Sequence, residues 1–145
     1  MPIAPSQAFA HVRVTVTDIE RSAAFYDKVF GWPRAIDTSA SVDEPGVKES
    51  REQYFGGVVY AMPAGTLFGL RPVAPGGQRF DSERTGLDHV SFMVEGRDVL
   101  VAAHEALHAE DIPHGEITDL PDAGLTILSF SDPDGIHLEL TAPLG

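Results

Sequence analysis

The chain has 145 residues, 43% of them hydrophobic and 22% charged, which is enough apolar material for one domain or for two small modules with a core. Its formal net charge of −12, with no Lys/Arg cluster to offset it, argues against nucleic acid and anionic membrane as partners. It has no cysteine, which excludes disulfides, thiolate metal sites and a cysteine nucleophile, and suits a reducing cytoplasm.

The opening MPIAPSQAFAHVRV has no basic segment followed by an apolar one, so no secretory signal is expected. No apolar run approaches the roughly 18 residues of a membrane span. Residues 9–16 alternate and read as a strand, with Val12, Val14 and Val16 on one face and His11, Arg13 and Thr15 on the other. A helix follows, capped by Thr17 or Asp18, with Ile19, Ala23, Tyr26 and Phe30 as its apolar stripe. Gly31 and Pro33 end it. Three strands are expected around 34–42, 52–62 and 66–72, and the Pro- and Gly-containing stretch 73–86 reads as a connector.

The second half repeats this plan. Residues 87–94 form a strand with His89, Ser91 and Met93 on one face. A helix runs from about 97 to 110, with Val99, Ala102, Ala103, Ala106 and Leu107 as its expected buried stripe. Strands follow near 114–120, 124–131 and 135–141, separated by turn chemistry at 122–124 and 132–135. The order is therefore βαβββ twice. His11-Val12 matches His89-Val90, and Phe68-Gly69-Leu70 matches Leu138-Glu139-Leu140.

An H-E-x-x-H run occurs at 104–108, and His114 sits where a third zinc histidine falls in metzincin proteases. Against that reading, Asp111 stands where their pattern has Gly, and Pro113 interrupts the run. No Met follows Met93, and His104 and His108 are expected on the exposed side of the helix. A solvated helix face is the expectation, with room for an adventitious Zn or Ni ion. Gly56-Gly57 and Gly76-Gly77 read as turn or bulge glycines, and Asp132-Pro133-Asp134-Gly135 as a turn and not a calcium loop.

His11-Val12-Arg13-Val14-Thr15-Val16-Thr17-Asp18, with Ala24-Phe25-Tyr26-Asp27-Lys28-Val29-Phe30-Gly31-Trp32 after it, resembles the opening of a vicinal-oxygen-chelate module. This is the superfamily of glyoxalases, bleomycin-resistance proteins and extradiol dioxygenases. The run 86–92, Gly-Leu-Asp-His-Val-Ser-Phe, resembles the start of a second module, and 132–140 resembles its closing strand. The resemblance implies an α+β fold in which two βαβββ modules form a curled mixed-sheet cup. A single domain, 1–145, would comprise modules at about 8–72 and 87–142 joined by 73–86.

It also implies metal ligands at His11, His89 and Glu139. The fourth family position falls on Gly69, which departs from the four-ligand pattern of glyoxalase I and methylmalonyl-CoA epimerase. Two histidines and one carboxylate suit Fe, Mn, Zn or Ni and leave coordination positions open. Alternation places all three opposite the apolar layers, and a carboxylate flanked by Leu138 and Leu140 is costly unless paired or bound. His137, two residues from Glu139, is expected as an acid/base group, a partner of a ligand, or a solvent-facing histidine. Arg13, Tyr60, Ser91 and Met93 are expected to line the cup by alternation, whereas Tyr54 and Phe55 are expected in the core.

The expected function is a metal-dependent enzyme, dioxygenase-like or glyoxalase/lyase-like, on a small oxygen-chelating substrate. The resemblance further implies a homodimer. The competing expectation is a metal-free protein that sequesters an antibiotic or metabolite in the cup. A zinc protease is the third.

Overall fold

The computed structural model describes all residues, 1–145. The chain divides into two compact units, Met1–Gln78 and Arg79–Gly145. In the first, β1 (His11–Thr15) buries Val14 and exposes His11, Arg13 and Thr15, as period-two alternation requires. The helix α1 (Ile19–Val29) begins at Asp18, whose carboxylate accepts the backbone N–H of Arg21. Such a cap is worth about 1 kcal/mol. The helix buries Ile19, Ala23 and Tyr26 over Phe68, the Tyr26 and Phe68 ring centroids lying 5.1 Å apart.

Strands β2 (Arg34–Asp37), β3 (Val58–Ala61) and β4 (Leu67–Arg71) complete the unit. The sheet order is β1-β4-β3-β2, with β1 parallel to β4 and the other pairs antiparallel. Two of these strands are shorter than expected, for identifiable reasons. After Asp37 the chain leaves the sheet, because the Asp37 carboxylate accepts from the backbone N–H and hydroxyl of Ser39 and starts a 3₁₀ turn. Residues 51–56, where the strand expected over 52–62 would begin, form 3₁₀ turns in which Tyr54 and Phe55 take positive φ of 49° and 57°. The backbone then passes so close to Leu70 that a Cβ on Gly57 would lie 2.0 Å from its carbonyl oxygen, so only glycine serves there.

The second unit repeats the topology as β5 (Val90–Met93), α2 (Arg97–Ala109), β6 (Thr118–Leu120), β7 (Leu125–Ser131) and β8 (His137–Pro143), with order β5-β8-β7-β6. The fold is α+β, two βαβββ units each with a four-stranded mixed sheet. The repeat holds in register. Val12, Arg13 and Val14 face Phe68, Gly69 and Leu70, while Val90, Ser91 and Phe92 face Leu138, Glu139 and Leu140.

Strand β6 begins later than expected, and His114 makes only an isolated bridge to Phe130. The turn before β8 is held by Asp132, whose carboxylate accepts the backbone N–H groups of Asp134 and Ile136, each at 2.9 Å. The end of the expected connector packs on this turn, with the Arg79 guanidinium donating to the Pro133 carbonyl and the Phe80 N–H to that of Asp134. Helix α2 buries Leu100 and Leu107, with Ala103 and His104 half-buried, whereas Val99, Ala102 and Ala106 are exposed. The buried face is thus displaced from the expected stripe. No helix is long and apolar enough to cross a membrane.

Candidate metal and substrate cleft

In the second unit the parallel pair β5–β8 opens onto a cleft of about 480 Å³ whose lining includes Asp88, His89, His114, His137 and Glu139. His89 stands just before β5 and Glu139 in the middle of β8. Leu138 and Leu140 point into the core, so Glu139 must point the other way, and it is only 17% exposed. The His89 Nε2 lies 3.7 Å from Glu139 Oε1.

The other ring nitrogen fixes the orientation. Nδ1 of His89 lies 2.7 Å from the Asp88 carboxylate. An ionised carboxylate can only accept, so Nδ1 carries a proton, and in the neutral ring Nε2 holds the lone pair facing Glu139. Glu139 is held in turn by Thr141, whose hydroxyl donates to Oε1 at 3.3 Å and is itself bonded to the Ser91 hydroxyl. Asp88 was not among the expected site residues. Alternation in the strand expected over 87–94 put it on the face opposite His89, whereas β5 starts only at Val90 and leaves Asp88 outside the pleat.

His137 is exposed on the face of β8 that carries Glu139 and packs edge-on against Phe80, ring centroids 5.5 Å apart. Ser91 supports Thr141, and Met93 is 71% exposed. Tyr60 departs from expectation. It is fully buried beneath α1, and its hydroxyl donates to the Ala23 carbonyl and the Asp27 carboxylate. Burial, followed by the adjacent Asp27 charge, pushes its ionisation well above the usual tyrosine value.

His11 belongs to the first unit. It is exposed on β1 and lines a smaller apolar pocket of about 240 Å³ with Arg13, Tyr54 and Gly69. Tyr54, expected in the core, is 40% exposed, while Phe55 is buried as expected. The guanidinium groups of Arg13 and Arg71 lie 5.3 and 4.0 Å from the centroid of the Phe55 ring.

Of the histidines of the H-E-x-x-H run, His108 is on the exposed side as expected and His104 is not. His104 is half-buried and bonded through Nε2 to Glu116 at 2.9 Å. His108 is exposed, and its Nδ1 lies 3.5 Å from His114 Nε2. Nowhere are three or more His, Asp or Glu side chains already gathered into a metal-holding group.

A twice-repeated βαβββ unit, with histidine and carboxylate side by side at the parallel strand pair of the second, defines a class of cleft-bearing α+β proteins. Residues 8–140 match the Glyoxalase/Bleomycin resistance protein/Dioxygenase superfamily, and the chain belongs to that superfamily. Among solved structures, a glyoxylase/bleomycin resistance protein/dioxygenase domain from Frankia sp. EAN1pec is similar at 26% identity and a TM-score of 0.74, over 95% of this chain and 93% of that one. A glyoxalase/dioxygenase from Nostoc punctiforme shares the fold at 20% identity and a TM-score of 0.71, over 99% and 97% of the two chains. So does a variant of the fosfomycin resistance protein FosX from Listeria monocytogenes, complexed with Mn(II) and 1S,2S-dihydroxypropylphosphonic acid. Its identity is 14% and its TM-score 0.68, over 95% and 93%. No curated protein sequence matches the chain.

Proposed function

We propose that this protein is a metal-dependent enzyme acting on a small oxygen-chelating substrate, with His11, His89 and Glu139 as the ligands of one divalent metal. The observation that carries the reading is the Asp88–His89–Glu139 arrangement. Metal bonds to nitrogen and oxygen of about 2.0–2.2 Å place two ligands of one ion roughly 3–3.5 Å apart. His89 Nε2 and Glu139 Oε1, at 3.7 Å, need only a small adjustment to serve together. The carboxylate on the far nitrogen of His89 is the usual partner of a metal-ligating histidine, fixing its tautomer and raising its basicity.

His11, which opens its module as His89 does, is the proposed third ligand, supplied by the same chain or by the second subunit of a homodimer. A bound divalent ion would supply Lewis acidity to a chelated carbonyl or enolate, and iron would add dioxygen chemistry. Within the chain, Asp88 keeps the proton on His89 Nδ1, and Thr141 orients Glu139. His137 is the group proposed to exchange a proton with substrate in the cleft. Dioxygenase-like and glyoxalase/lyase-like reactions both suit this set. That FosX is a structural neighbour holding Mn(II) supports the metal-dependent reading. The absence of cysteine supports a cytoplasmic setting.

The test is metal content and affinity of tag-free protein purified anaerobically. One equivalent should be lost in His11→Ala, His89→Ala and Glu139→Gln, and bound at least tenfold more weakly in Asp88→Ala. Iron would direct assays to catechol-type substrates, and nickel, zinc or manganese to lyase and isomerase substrates. Wild-type protein that takes up no metal, or loses none in the His89→Ala variant, would overturn the reading in favour of metal-free ligand sequestration.

A further inference from the structure

The H-E-x-x-H run is left unused by the proposed function, yet the fold brings it to a third histidine. His104 and His108 stand one turn apart on α2. Beyond the helix the chain reverses through Asp111, at φ 56°, and the bridge of His114 to Phe130 returns the His114 ring to the helix. Its centroid lies 4.7 Å from that of His104 and 5.6 Å from that of His108. Backbone bonds from Gly115 N–H to the Ser129 carbonyl and from Ser131 N–H to that of Pro113 fix the segment on both sides.

The facing nitrogens of His108 and His114 are spaced as two ligands of one ion would be. His114 Nδ1 donates to the Gly115 carbonyl at 2.7 Å, so its Nε2 is left with the lone pair. That lone pair faces His108 Nδ1 at 3.5 Å, too long for a good hydrogen bond. Two imidazole nitrogens on one tetrahedral Zn(II), with bonds of about 2.0–2.1 Å, stand roughly 3.3–3.4 Å apart. Beside the same ring, His104 Nε2 donates to Glu116 Oε2 at 2.9 Å, a proton that a metal ion would displace to take both as ligands.

We infer that His104, His108 and His114, with Glu116, form a second transition-metal site, of the Zn(II) or Ni(II) class, separate from the His89–Glu139 pair. Imidazole and carboxylate suit these ions, and the net charge of −12 favours their approach. The donors do not yet converge on a single point. His108 is exposed and the Glu116 side chain 83% exposed, so closing the site takes rotation of solvent-facing side chains and leaves the packed core alone. Four protein donors fill a tetrahedral sphere and leave no open position, which makes this a holding site and not a peptidase centre. His114 also lines the cleft, so a metal here ties the end of α2 to the cleft wall.

The test titrates Zn(II) against a competing chromophoric chelator in a His89→Ala/Glu139→Gln background, from which the proposed cleft ligands are already gone. That background should still bind one Zn(II), with a rise in melting temperature on adding it. Adding His108→Ala or His114→Gln should weaken binding at least tenfold and abolish the rise. His108 is exposed and His114 pairs through its backbone, so both variants should keep the wild-type far-ultraviolet circular dichroism. A background protein that binds no Zn(II), or affinity unchanged by His108→Ala, would overturn the inference. Either result is independent of whether His89→Ala alone costs the wild type a metal.

Discussion

Arg13 faces Gly69 across the β1–β4 ladder, and its stem occupies the space that any side chain at position 69 would need. A Cβ built on Gly69 would lie 3.2 Å from Arg13 Cγ and 3.3 Å from Cδ. In the second unit the same register sets the smaller Ser91 against Glu139. The two halves have therefore diverged in a correlated way. Where one keeps a carboxylate, its cross-strand neighbour is small, and where the other has glycine, its neighbour is an arginine lying over it. Gly69→Ala should accordingly cost about 1 kcal/mol or less, since Arg13 is exposed and can shift. That cost should vanish in an Arg13→Ala background, giving a coupling of about 0.5 kcal/mol or more in a double-mutant cycle read by denaturant unfolding. Strict additivity would mean that the stem of Arg13 does not occupy this space in solution.

The acid limb of stability should report on a polar network at the edge of the first unit. The Arg34 guanidinium bonds Asp27 at 2.6 Å and Asp37 at 2.8 Å, and the Tyr60 hydroxyl bonds Asp27 at 2.9 Å. The bond from Arg34 holds the Asp27 carboxyl below its ordinary value of 3.8, against partial burial. For Asp37, burial pushes upward but is outweighed by the Ser39 and Arg34 bonds, so it too is lowered. A folded-state value below the unfolded one contributes stability above about pH 4, and that contribution is lost as pH falls through the folded value. Asp27→Ala should therefore destabilise by no more than about 1 kcal/mol near neutrality, because side-chain exposures of 31% and 44% screen the pair. The gap to wild type should narrow as the pH drops from about 5 toward 3. A gap that widens on acidification would contradict the lowered carboxyl.

Legibility from sequence followed the range of the deciding force. The faces of β1, β5 and β8 were readable because valine and leucine alternate with polar residues, and the core takes every second side chain. The break in the expected strand 52–62 was not, because Tyr54 and Phe55 are good strand formers. They sit in turns closed by Phe55 N–H to the Ser50 carbonyl and Gly57 N–H to the Tyr54 carbonyl, just before Gly57 passes close to Leu70, thirteen positions further along the chain. Asp88 was invisible for a related reason, since its side chain is aimed by a hydrogen bond to His89 and not by the pleat. The gathering of His104, His108 and His114 depends on a single bridge between His114 and Phe130, which no periodicity encodes.

Helix α2 shows most directly how an alanine-rich sequence misleads. A stripe through Val99, Ala102, Ala103, Ala106 and Leu107 is amphipathic on paper, but three of its five members are alanines with little area to bury. Turning the helix by about one residue puts Leu100 and Leu107, seven positions apart, together in the core and brings Ala103 and His104 to its edge. Two leucines outweigh one leucine with a valine, and that small difference also carries His104 toward Glu116. Leu100, wholly buried, should cost about 2–5 kcal/mol on substitution by alanine. Val99, 36% exposed, should cost under about 0.5 kcal/mol beyond its change in helix propensity. Urea unfolding of the two variants decides between the faces. If Val99→Ala proved the costlier, the helix would sit in its other rotation and His104 would return to solvent.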